Sequence, residues 1–475
     1  MENEHKAIYD AKQLGGGKVA VLGLQHMFAM FGATVLVPII TGLNVSTTLL
    51  FAGLATLFMH LVTGRKVPVF LGSSFAFLGG YAAVKAAGSA MGYDDATSLV
   101  YACVGIACAG LLYLILALIC KAYGSKKVMR FFPPVVTGPI IVAIGMNLAP
   151  SAINNCATNW PIALVAILVV IICNIWGKGM IKIIPILMGV LASYIVAAVT
   201  GNVDFSAVAE AKWVGLPVIW DRTVFGLFAG GEVNSGLLVS AIITIMPIAL
   251  ATMMEHIGDI SAIGGTVGKN FIEDPGLHRT LIGDGVGTAI AALFGAPANT
   301  TYGENTGVLA LTKVYDPFVI RIAALYAIIL SFCPKFAAII EVMPSATIGG
   351  VSIILYGMIS AIGIRNMVEN HTDFQKSRNV IIAALIIGLS IGINFSGSLG
   401  ADITTAGNNA TGAISFAIGN VNIALSGLAV ASIIGIIINA ILPGKNETFY
   451  ENPKDAGSLG KYGNSLSDNE VAKTE

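Results

Sequence analysis

The chain has 475 residues, 56% hydrophobic and 11% charged, and its 26 basic and 26 acidic residues cancel to a formal net charge of +0. A mean hydropathy of +0.82 is too high for a water-soluble globule, so the chain reads as an integral membrane protein, and the balanced charge offers nothing to nucleic acid. Long apolar runs such as 162–173, 380–393 and 423–442 call for helical rather than barrel spans, and six scattered cysteines without a CxxC spacing argue against metal or disulfide chemistry.

Taken in chain order, residues 1–18 carry Glu2, Glu4, Lys6, Asp10, Lys12 and Lys18 around no apolar centre, and are expected to be a cytoplasmic tail, not a cleaved signal peptide. About fourteen spanning stretches follow, the first seven at 19–41, 47–63, 69–88, 98–120, 135–150, 160–176 and 183–200. Beyond a polar extracellular stretch at 201–235 come 236–258, 280–294, 299–312, 317–340, 345–363, 379–395 and 420–442, then a cytoplasmic tail at 443–475. Lys and Arg test this order, because they collect on the cytoplasmic side. Arg65, Lys66, Lys121, Lys126, Lys127, Arg130, Lys178, Lys182, Lys269 and Arg365 all fall in inner loops or span ends, whereas Asp94, Asp95, Asp204 and Asp402 fall outside. Both termini are therefore expected in the cytoplasm.

Seven spans per half is an odd number, so a duplicated half must insert upside down relative to its twin. The expected fold class is an all-α polytopic membrane protein with a 7+7 inverted repeat. Pro133 and Gly138 open the fifth span, and Pro344 and Gly349 open the twelfth at the same spacing. The third and tenth are broken by Pro, Gly and hydroxyl residues, at Pro68–Phe77 (PVFLGSSFAF) and Pro297–Gly307 (PANTTYGENTG). Interrupted spans in matching places of two halves mark a substrate site near mid-membrane.

Few residues there carry chemistry. Glu255 and Asp259, in ATMMEHIGDI at the end of the eighth span, share a helix face, and Glu304 follows Gly303 in the tenth. A carboxylate at the bilayer centre costs roughly 2.5 to 3.5 kcal/mol on insertion scales, so such groups face cavities. Asp284, flanked by three glycines in LIGDGVG, reads instead as a packed acid meeting a backbone or hydroxyl donor; His26 reads as a bundle-interior imidazole that could relay a proton; His60 is given no role. Half-helix N-termini offer N–H donors to carbonyl oxygens, glutamates accept from ring N–H groups, and Phe75 and Tyr302 can stack, which together suit a flat, polar-edged heterocycle. A protonatable carboxylate couples such a substrate to a proton most simply, and no cofactor is needed.

The stretch TTYGENTGVLALTKVYD, with EHIGD before it and LQHMFAMFGATVLVP and GSSFAF in the first half, resembles the nucleobase-ascorbate transporter family and, within it, the bacterial branch that carries uracil. The likeness runs from about Leu24 to Leu442. It implies a core domain (19–134 and 236–340) and a gate domain (135–200 and 341–442), with a short strand before the helix in spans three and ten, the two strands antiparallel. By the same resemblance, Glu255 and Glu304, the backbone N–H groups at Phe75 and Gly303, and the side chains of Ala33, Tyr302 and Tyr356 would hold uracil in a homodimeric proton symporter of the cell membrane, with Glu304, Asp259 and His26 on the proton path. Asp259 departs from that branch, which carries histidine there, and is closer to purine-carrying relatives for xanthine or hypoxanthine; Glu304 favours uracil. Anion transporters of the same fold would place a cation at the breaks, where this chain has acids. An enzyme would need a catalytic constellation that the chain lacks.

Overall fold

The computed structural model describes residues 7–230, 233–396, 413–418 and 421–444, apart from the side chains of Glu304, 415–418 and 421–422. The first half comprises α1 (Gly16–Thr41), α2 (Val45–Val62), β1 (Leu71–Ser73) running into α3 (Leu78–Ala90), α4 (Asp95–Tyr123), α5 (Pro134–Ala157), α6 (Trp160–Ile175) and α7 (Pro185–Val199). The second comprises α8 (Ser235–Val267), α9 (Leu277–Leu293), β2 (Asn299–Thr301) running into α10 (Gly303–Thr312), α11 (Pro317–Ser331), α12 (Ser345–Glu369), α13 (Ser377–Ser396), the hairpin β3 (Ala413–Ile418) and β4 (Val421–Ser426), and α14 (Gly427–Ile441). Among the described residues, α1, α2, α4, α5, α8, α12 and α13 are each long and apolar enough to cross a membrane alone. With so few polar residues to spend, the chain places several at helix starts, where the first N–H groups lack acceptors: Asn44 accepts from the Thr47 N–H, Asp94 from Thr97 and Asn234 from Leu237.

Helix pairing has a hidden symmetry. The most extensive contacts are α5 with α12, α4 with α9, α2 with α11, α13 with α14, α2 with α9, α6 with α7, α1 with α11, α4 with α8, α6 with α12 and α5 with α13. Exchanging every helix for the one seven places along returns the same set. Glycines make the central crossing of α5 and α12 close enough to be symmetric in detail. A β-carbon on Gly138 would lie 3.0 Å from the Gly363 carbonyl oxygen, and one on Gly349 would lie 2.7 Å from that of Ala152. Gly138 and Gly349 each stand five residues after the opening proline, and Gly363 and Ala152 each nineteen after it. Two antiparallel copies of one helix, related by a twofold axis, meet in that way.

The two breaks repeat the pattern. β1 and β2 pair antiparallel, Leu71 with Thr301, Gly72 with Thr300 and Ser73 with Asn299. Each strand is held by a threonine of the helix second in its half: the Leu71 N–H donates to Thr56 Oγ1 (2.9 Å) and the Asn299 N–H to Thr288 Oγ1 (3.2 Å), while each hydroxyl donates to the carbonyl of the same residue. Pro68 and Pro297 lie just ahead of the strands, where a missing N–H and fixed φ oppose a continuous helix. Gly72 is obligatory, because a β-carbon there would fall 2.5 Å from the Tyr302 ring and 2.6 Å from Thr34 Oγ1.

Several expected boundaries move. The eighth span does not end at 258 but runs to Val267, since Asp259, Ser261 and Gly264 are buried and packing carries the helix through a stretch of mixed hydropathy. The eleventh is a helix to Ser331 and a second one at Pro334–Glu341, bent by 88°. The fourteenth starts as strand β4, the partner of β3. The N-terminal segment is docked in its described part: Ile8 bridges to Val314, the Ala11 N–H donates to Asp316 Oδ2 (2.7 Å), and the Tyr9 hydroxyl donates to the Val267 carbonyl (2.8 Å). Residues 443–475 beyond Gly444, like Asp402, lie outside the described residues.

Candidate functional site

The antiparallel pairing of β1 and β2 turns two helices toward the middle of the bundle, with their N-termini at Leu78 and Gly303. The first N–H groups of each have no acceptor within their own helix. Tyr302, last residue before α10, is buried and welds the crossing: its hydroxyl donates to the Ser73 carbonyl (2.9 Å), Thr34 Oγ1 lies 3.3 Å away, and the Ser73 hydroxyl donates to the Thr34 carbonyl (2.9 Å). Ala33, the residue before Thr34, is thereby held against the crossing by α1. The Phe75 ring follows β1 and meets Tyr356 of α12 edge-on, with centroids 5.4 Å apart at 76°.

From the second side comes α8. Glu255 is partly buried and Asp259 buried, one turn further along the same face. A β-carbon on Gly303 would stand 3.5 Å from Asp259 Oδ1 and 3.4 Å from Ile362 of α12, so glycine there lets the start of α10 approach the carboxylate. A cavity of about 360 Å³ opens here, lined by Asp259, Gly303, Thr306, Ile362, Lys182 and Arg365 among others. Its volume suits a single small ring. Among the expected site residues it reaches Gly303 and Asp259, whereas Ala33, Phe75, Tyr302 and Tyr356 are buried and do not line it.

The contacts above join Tyr302 to Thr34 of α1, Phe75 to Tyr356 and the start of α10 to Asp259, while Glu255 is not among the residues that line the cavity. The backbone of Glu304 stands in the first turn of α10, but its side chain lies outside the described residues. His26 is buried in α1 seven residues before Ala33, about 10 Å along the axis. Its ring nitrogens find no hydrogen-bond partner among the described residues. The three glycines about Asp284 do pack as their pattern implied: Gly283 and Gly287 against Met59 and Ala55 of α2, Gly285 against Gly110 and Tyr113 of α4. The partner of Asp284 differs from expectation, being neither backbone nor hydroxyl but the imidazole of His256, Nδ1 to Oδ2 2.9 Å. His256 escaped the sequence reading; its signal was its place after Glu255, about 100° round the helix and so turned to the packed interior.

The model of the Permease family matches residues 17–398. The uracil permease of Bacillus caldolyticus is 38% identical over 453 residues, covering 92% of this chain and 96% of that protein, and the uracil permease of Bacillus subtilis (strain 168) is 36% identical over 437 residues, covering 89% and 92%. The transmembrane domain of a cyanobacterium bicarbonate transporter, BicA, superposes with a TM-score of 0.55 at 15% identity, covering 91% of this chain and 99% of that one, a likeness of fold alone.

Proposed function

The chain belongs to the Permease family, and from that premise we propose that it imports uracil together with a proton across the cytoplasmic membrane, by alternating access. The observation that carries the substrate is the match over some nine-tenths of the chain to relatives named uracil permease. The site supports it chemically. Uracil presents two ring N–H donors and two carbonyl acceptors on a flat ring. Glu255 and Glu304 accept from the N–H groups, the backbone N–H groups at Phe75 and Gly303 donate to the carbonyl oxygens, and Phe75, Tyr302, Ala33 and Tyr356 line the ring. Asp259, at the cavity wall beside Gly303, takes a proton from water as substrate binds.

The proposed motion divides the bundle in two. The extensive pairings of α1–α4 and α8–α11 fall among themselves, as do those of α5–α7 and α12–α14, which supports a core and a gate that slide or rock against each other about the cavity. Fourteen segments with both termini in the cytoplasm belong to the same proposal, and Lys182 and Arg365 at the cavity then make this state inward-facing. A homodimer also belongs to it: Leu164, Leu168, Ile171 and Ile175 leave an exposed apolar stripe along α6 for lipid or a second copy.

Asp259 favours a second reading, a purine symporter. One assay decides: uptake of labelled uracil into proteoliposomes, with and without an inward proton gradient, competed by unlabelled uracil and xanthine. Gradient-driven uptake blocked by uracil alone is expected. Block by xanthine would move the substrate to purines, and indifference to the gradient would remove the proton.

A further inference from the structure

Behind the cavity, where neither residue lines it, α8 and α9 bury a histidine and an aspartate together. His256 and Asp284 are both 0% exposed. The Nδ1 atom of His256 lies 2.9 Å from Asp284 Oδ2 and 2.9 Å from Thr301 Oγ1, the last residue of β2. One imidazole therefore joins α8, α9 and the strand that delivers Tyr302 and Gly303 to the site. Glu255 is its neighbour in sequence on α8, and the Tyr113 ring of α4 meets it edge-on at 6.4 Å. The ranges of α5 and α14, which also pack on α8, contain no Asp, Glu, Lys, Arg or His, and α10 contributes Glu304.

We propose that His256 is a positioning residue, which holds β2 and the start of α10 against α8 through a one-proton pair with Asp284. With one proton shared, the pair is neutral as a unit, whether written as imidazolium with carboxylate or as imidazole with carboxylic acid. Losing that proton, or gaining a second, leaves an uncompensated charge in a dry interior. The pair is sealed from the cavity, so the proton that travels with substrate uses the carboxylates at the wall, and this one stays. The inference rests on the uracil reading only for its binding readout.

The test is the pH dependence of two variants, each taken as a ratio to the unaltered protein, by uracil binding and by melting temperature in detergent. Asp284 in His256→Asn must carry the pair's proton alone, so uracil binding and melting temperature fall most at about pH 8 and recover toward about pH 5.5, with a binding loss of roughly tenfold or more at the higher pH. Asp284→Asn reverses the slope, because imidazole tolerates a neutral amide but imidazolium lacks its counter-charge, and the loss grows toward acid. The double variant, with two neutral amides, is expected to lose both slopes and to exceed His256→Asn at the higher pH. Parallel, pH-independent losses in both single variants, or a double variant no better than the worse single, would overturn the proposal. Should His256→Asn not fold, the acid-side loss of Asp284→Asn still decides. An unaltered protein that melts normally but ignores uracil would remove the substrate reading while the melting slopes still test the pair.

Discussion

At the scale of residues, charge is scarce and its placement carries most of the meaning. The proposed function has Glu255 accept from a ligand's ring N–H, and a hydrogen bond to a charged group is worth about 1.5–3 kcal/mol. Glu255→Ala is expected to weaken uracil binding by roughly tenfold to a hundredfold while the protein stays monodisperse, read by equilibrium binding; affinity within twofold would assign Glu255 a structural part. Asp259 is expected to act on coupling rather than affinity. Uptake by the unaltered protein should rise as the outer side is made more acidic, and Asp259→Asn should keep uracil affinity but flatten that rise. A variant with the same pH profile would place the proton elsewhere. Glu255, Asp259 and Tyr302 drew attention in the sequence because an acid within a span, or a bulky aromatic beside a break, stands out from an apolar background. His256 was not, since its meaning comes from Asp284 and Thr301, 28 and 45 residues away.

At the scale of elements, glycines and threonines set how closely segments approach. Gly285 of α9 has the Gly110 carbonyl oxygen 2.8 Å and the Tyr113 β-carbon 2.3 Å from where its own β-carbon would stand. Gly285→Val is therefore expected to overpack the α4–α9 contact and cost about 1–3 kcal/mol, seen as a lower melting temperature and reduced yield. Gly307, with open space about that position, should accept alanine without such a loss. The Thr56 and Thr288 clamps make a matched pair, and replacing either by valine leaves two strand backbone groups short of a partner. Hydropathy located most helices within a few residues. It missed the continuation of α8, where burial among neighbours carries a mixed stretch, and the pairing of β3 with β4, because two apolar runs close in sequence read as span rather than strand.

For the whole molecule, the testable matter is which side the cavity faces. Ile362 lies at its wall beside Gly303. A cysteine placed at Ile362, with the partly exposed Cys108 and Cys333 replaced by alanine, should react with a membrane-impermeant maleimide applied from the cytoplasmic side, and uracil should slow the reaction. Labelling from the opposite side alone would reverse the orientation. The membrane character of this chain and the breaks in its third and tenth segments could be read along the sequence, because hydropathy and helix-breaking residues are local properties. Only the tertiary structure decided that Thr56 and Thr288 clamp the two strands alike, that α5 and α12 cross on reciprocal small residues, and that Asp284 is answered by His256. These are contacts between residues far apart in sequence, and a buried side chain takes its partner from the packing around it.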